Sequence, residues 1–162
     1  MNIQNKTKWD LDFLVACEKG DLKLVKYLLT SPEIKEAGHD FANLHENEEE
    51  GFRWACSNGH LEVVKYLLIS PDLIEAGHTF ANVHAVDDDG FRVACSNQHW
   101  NVVRWLVMDY GIKKTPAIEN ILQKHPQAKE YFRVRDELRE IQGLLKPPTE
   151  HQGKTSNSPL KL

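Results

Sequence analysis

The chain has 162 residues, room for one compact domain or a short repeat array and too few for a large two-domain enzyme. Its 41% hydrophobic and 27% charged residues exclude a wholly disordered chain, a collagen and a membrane bundle. The net charge of −4 is unevenly spread: residues 1–110 hold 10 Lys and Arg against 18 Asp and Glu, and residues 111–162 hold 10 against 6.

Met1 to Asp10 is polar and lacks the apolar core of a secretory signal. Three cysteines then read as reduced thiols, and the expected location is the cytoplasm. An internal repeat dominates the chain from Phe13 onward. Cys17, Cys56 and Cys95 are spaced by 39 residues, as are Phe13, Phe52 and Phe91, and Ala16, Ala55 and Ala94. Residues 13–51 and 52–90 align without a gap and are identical at 21 of 39 positions. A third copy opens at Phe91 and fades after Met108.

Each unit predicts a helix, a turn, a second helix, an extra helical turn and a loop. In the second unit the first helix covers Phe52 to Ser57 and stops at Asn58-Gly59. The next runs from about Leu61 to Ile69, with Leu61, Val64, Leu67 and Leu68 on one face. Ser70-Pro71 suits a helix start, Asp72 to Ala76 makes one turn and Gly77 ends it; Ser31-Pro32 to Gly38 repeats that design. His78 to Asp89 lacks helical periodicity and predicts an extended loop or hairpin. Gly111 closes the third unit, and Thr115-Pro116 starts a helix to about Lys124. Pro126 opens a longer one whose apolar face is Tyr131, Val134, Leu138, Ile141 and Leu145, with Lys129, Arg133, Arg135 and Arg139 outward. Lys146 to Leu162 reads as a disordered tail.

The run Ala55-Cys56-Ser57-Asn58-Gly59-His60-Leu61-Glu62-Val63-Val64-Lys65-Tyr66-Leu67-Leu68 resembles the core motif of the ankyrin-repeat family, and Ala16 to Leu29 and Ala94 to Val107 match it less fully. The family's unit is about 33 residues. Here the unit is 39, and the usual Thr-Pro-Leu-His start is replaced by Glu50-Gly51-Phe52-Arg53 and Asp89-Gly90-Phe91-Arg92. The resemblance implies an all-α, ankyrin-like helical repeat solenoid of about three units with a C-terminal helical cap. The array occupies residues 1–110 (units about 10–51, 52–90 and 91–110), the capping helices 111–145 and the tail 146–162.

The cysteines invite a metal or redox reading, yet equivalent positions in stacked helices lie about 8–10 Å apart or more, beyond the roughly 7 Å a disulfide spans. Six of the eight histidines fall in register pairs, His39/His78, His45/His84 and His60/His99, so duplication explains their number. No metal site and no cofactor is expected; an enzyme or metal-dependent protein that uses the loop histidines is the rival. Enzyme motifs are missing: there is no phosphate-binding glycine loop, no His-Glu-x-x-His and no nucleophile elbow, so no catalytic residue is assigned. Trp54 and Trp100 are expected in the core. Tyr27, Tyr66 and Trp105 share one register, packing between units or forming an outer ridge.

The resemblance implies recognition of another protein through finger loops and the concave face, as adaptor, inhibitor or host-directed effector. By position that surface is Glu46, Asn47, Glu48 and Glu49 in one finger and Val86, Asp87 and Asp88 in the next, with Glu18, Lys19, Ser57, Asn58, Ser96 and Asn97 along the helix edge. Glu50 and Asp89 make seven acids in two loops, all expected to be solvent-exposed, which favours a partner with a basic surface. The expected state is a monomer that binds neither membrane nor nucleic acid. Nucleic-acid binding by the basic C-terminal helix is a further rival, disfavoured because the acidic array repels phosphates.

Overall fold

The computed structural model describes residues 7–144, so the expected tail from Lys146 lies outside the described residues. Ten α-helices run in order: α1 Lys8–Lys19, α2 Leu22–Thr30, α3 Pro32–Glu36, α4 Glu46–Ser57, α5 Leu61–Ile69, α6 Pro71–Glu75, α7 Ala85–Ser96, α8 Trp100–Trp105, α9 Pro116–Lys124 and α10 Pro126–Leu144. No strand occurs among the described residues.

Local signals set the ends. Thr7 caps α1 and Asp10 returns the bond to the Thr7 backbone, a reciprocal capping box. Gly20 ends α1 at φ 73°, Asp21 caps α2 through the Leu24 amide, and Thr115 caps α9 through the Ile118 amide. The expected Ser-Pro starts are present at α3 and α6, but neither serine side chain caps its helix. Beyond Trp105 the helix widens into a π-helical stretch, Leu106–Tyr110, which Gly111 closes at φ 78°.

The segment expected as an extended loop or hairpin is not paired with a strand. Ala42 and Ala81 donate to the carbonyls of Leu28 and Leu67, which brings each segment against the outer helix of its own unit. Alternate side chains, Ala42 and Leu44, then Ala81 and Val83, are buried there. The bonds that a hairpin would supply are therefore made to helix carbonyls.

The helices stack as an inner row, α1, α4, α7 and α9, and an outer row, α2, α5, α8 with its π stretch, and α10. Two glycine slots set the spacing of the inner row. A Cβ on Gly51 would lie 2.6 Å from the Phe13 ring, and one on Gly90 would lie 2.6 Å from the Phe52 ring. Each unit thus seats its phenylalanine on the glycine that precedes the next unit's phenylalanine. Phe91 has no fourth unit to enter and meets Phe132 of α10 edge-on, ring centroids 6.1 Å apart.

The face of α10 turned to the array differs from the expected one. Ala128, Phe132 and Arg135 are buried, whereas Leu138 and Ile141 are exposed and Tyr131 and Val134 only half-buried. Arg135, expected on the outer face, donates from Nη1 to the Ile112 carbonyl at 2.9 Å, and its guanidinium covers the Phe132 ring at 4.6 Å. Its planar charge is satisfied by a carbonyl, by Asp136 and by a ring face, so an arginine is accommodated there.

Candidate functional site

The two fingers are built by an unusual backbone. Asn47, Glu48 and Glu49 have φ of 47°, 56° and 67°, and Val86, Asp87 and Asp88 have 51°, 51° and 63°. Three consecutive non-glycine residues in the left-handed region form a tight turn ahead of the regular part of α4 and of α7. Each such residue costs about 1–2 kcal/mol relative to the right-handed region, so the surroundings must impose the turn.

What imposes it is a buried carboxylate. Glu49 and Asp88, expected at solvent-exposed tips, both lie inside, with 5% and 2% of their surface accessible. They share a register with Asp10, the buried acid of the α1 capping box. His45 Nδ1 donates to Glu49 Oε1 at 2.7 Å, and His84 Nδ1 donates to Asp88 Oδ1. Nε2 of His45 is hydrogen-bonded to the Thr79 hydroxyl at 2.8 Å, tying the first finger to the second unit. Thr115 closes the second finger from the far side by donating to Asp88. Glu49 Oε2 is buried with no hydrogen-bond partner. The sequence carried a signal for this burial: a histidine four residues before each acid, and a shared register with Asp10.

Of the remaining loop histidines, His78 joins two units and His39 packs within the first. His78 Nε2 bonds the Leu29 carbonyl at 2.8 Å and its ring lies 5.6 Å from Phe41, while His39 packs on Trp9. No group of three or more His, Cys, Asp or Glu side chains takes up metal-ligand geometry among the described residues. Cys17, Cys56 and Cys95 are all buried and unbridged. Burial alone pushes the Cys95 thiol up to about 12; burial also raises Cys17 and Cys56, with Asp89 adding to Cys56. Thiols so held stay protonated at neutral pH and are poor nucleophiles.

Outside this frame, Asn47, Glu48, Val86 and Asp87 are exposed at the tips, and Glu46, Glu50 and Asp89 are half-buried. Arg53 joins the fingers: Nη2 donates to the Asn47 carbonyl and Nη1 to Asp89 Oδ2, both at 3.2 Å. Arg92 also pairs with Asp89, so that acid is compensated within the protein. Along the inner helices Glu18, Lys19, Asn58, Ser96 and Asn97 are exposed and Ser57 half-buried, and Asn97 donates to the Ser57 carbonyl at 2.7 Å.

Sequence reasoning missed Trp54. Expected in the core, it is 42% exposed on the inner face of α4. Its register partners, Val15 on α1 and Val93 on α7, are exposed and half-buried, and Leu11 stands exposed one turn before Val15. The signal was the register itself: positions 15, 54 and 93 lie next to the buried Ala16, Ala55 and Ala94 and turn away from the stack. Trp100 is half-buried. Of the outer aromatics, Tyr66 is buried, Tyr27 exposed, and Trp105 packs 5.7 Å from Tyr110.

An inner row of repeated helices with projecting, internally latched fingers defines a helical-repeat protein of the kind that offers one continuous face along the stack. A family model for ankyrin repeats, in three copies, matches residues 13–117, and the chain belongs to the ankyrin-repeat family. No curated protein and no solved structure matches the chain. No helix among the described residues is long and apolar enough to cross a membrane.

Proposed function

We propose that this chain binds a partner protein across its finger tips and inner helix face, and that the partner offers a basic surface. Ankyrin repeats generally serve as protein–protein interaction modules; the finer reading rests on the fingers. The observation that carries it is the pair of left-handed turns, which hold Glu48 and Asp87 in solvent at the cost of backbone strain. Strain kept in two successive units, and fastened by buried His–carboxylate bonds, supports a binding role for what the turns present. Glu49 and Asp88 belong to the fastening. The partner meets Glu46, Asn47, Glu48, Val86 and Asp87, then Glu18, Lys19, Ser57, Asn58, Ser96 and Asn97 along the helix edge. Catalysis has no part in this reading, and an adaptor, an inhibitor and an effector would all use the same face.

The test is charge reversal at the two exposed tip acids. With a partner captured by affinity purification, Glu48→Lys with Asp87→Lys should slow association about tenfold or more and flatten its dependence on salt, leaving the melting temperature unchanged. Arg133→Glu with Arg139→Glu on α10 is the control. Equal binding by the tip variant sinks the proposal, and a larger loss from the control would move the site to α10.

A further inference from the structure

Resting on that reading of the inner face, we infer the chemistry of the segment it takes: a stretch of polypeptide that seats one bulky apolar side chain against Trp54, with a Lys or Arg beside it to meet Glu48 or Asp87. Trp54 has no visible duty in the stack. Contact between units is carried by the phenylalanine–glycine slots and by the alanine and cysteine rows, all buried. The neighbouring units place valine at the same register position, Val15 and Val93, so stacking does not require an indole there. Yet the middle unit holds one, 42% exposed, beside the exposed Val15 and Leu11.

A scattered apolar residue on a surface needs no explanation, but this one is central to an apolar row that crosses the inner helices. Buried aromatic anchors ringed by polar residues are where binding energy concentrates, and tryptophan leads among them. One turn further along α4 and α7 from the row stand the small polar residues Ser57, Asn58 and Ser96, the last two exposed. Charge selects the flanks of the incoming segment. Asp89 is paired with Arg53 and Arg92, whereas Glu48 and Asp87 stand exposed at the tips. The inner helices therefore carry an apolar centre and the finger tips negative charge, a combination that disfavours an acidic segment and suits an apolar one flanked by cations.

A phage-displayed random-peptide library, selected against the full chain, tests this directly. The expected consensus is a single Trp, Phe, Leu or Ile flanked by Lys or Arg. For the best peptide, measured by fluorescence anisotropy, Trp54→Ala should weaken binding at least about 30-fold, a hot-spot loss, with the melting temperature unchanged. Glu48→Lys with Asp87→Lys should weaken it and flatten its salt dependence. An acidic consensus, a consensus without an apolar residue, or no enrichment overturns the inference. Peptides that survive Trp54→Ala but are lost with the tip reversal sink the anchor and leave the basic-partner reading standing. Selected peptides indifferent to both changes remove the face itself, and the reading of the fingers with it.

Discussion

At the scale of single residues, the Gly-His pair shows how one position serves two units. Gly20 and Gly59 have φ of 73° and 74°, which already favours glycine. In addition, a Cβ on either would lie 2.4 Å from the imidazole Nδ1 of the next unit's histidine, His60 or His99. The His60 ring also reaches back to the Glu18 carbonyl at 2.8 Å, so it cannot swing aside without losing that bond. At the third equivalent position stands Gln98, with φ 61°. The next turn from inner to outer row, between α9 and α10, falls at His125. Gln98 adopts the same left-handed backbone with a side chain of its own, at a cost that glycine avoids. Gly20→Ala should lower stability by about 2–3 kcal/mol, joining left-handed strain to overpacking. Gln98→Gly should leave stability unchanged or raise it by up to about 1 kcal/mol. Urea unfolding of the two variants decides this, and a loss from Gly20→Ala no larger than the gain from Gln98→Gly would show that the histidine contact contributes nothing.

Among the elements, the finger is the one whose design periodicity could not disclose. Neighbouring residues in a left-handed turn diverge: Glu48 points to water while Glu49 enters the frame. A rule counting acids in loops treats both as solvated. The difference is measurable. Glu49→Lys or Asp88→Lys places a cation beside His45 or His84 in a buried site, and should destabilise by about 3 kcal/mol or more. Glu48→Lys and Asp87→Lys, one residue away, should stay within about 0.5 kcal/mol of the parent. Thermal melting of the four single variants checks it; four equal melting temperatures would contradict the latch.

Over the whole molecule, the stack must be closed after the third unit. The apolar periodicity of α10 predicts closure by Tyr131, Val134, Leu138 and Ile141, its longer stripe. The structure instead turns Ala128, Phe132 and Arg135 to the array, a shorter stripe offset by about one residue and containing a charge. Phe132 meets Phe91, the last phenylalanine of the ladder. If α10 is the closing layer, Phe132→Ala should cost about 3–5 kcal/mol, while Leu138→Ala and Ile141→Ala, at exposed positions, should each cost less than about 1 kcal/mol. The reverse ranking in denaturant unfolding would restore the longer stripe as the closing face.

The sequence by itself determined the unit, its length of 39, the helix pairs, most of their ends and the spacing that leaves the cysteines unbridged. Those features depend on local backbone preferences and on a register that repeats, and both are written in the order of residues. The family followed from the same motif. Three things waited for the tertiary structure: which tip acids face water, which side of α10 meets the array, and that Trp54 looks outward. Each depends on what a neighbouring unit places opposite. His45 draws Glu49 in, Phe91 and the Ile112 carbonyl select Phe132 and Arg135, and the buried alanine row turns Trp54 away. Hydrophobic periodicity reports how apolar a face is, whereas the partner across the interface decides which face is used.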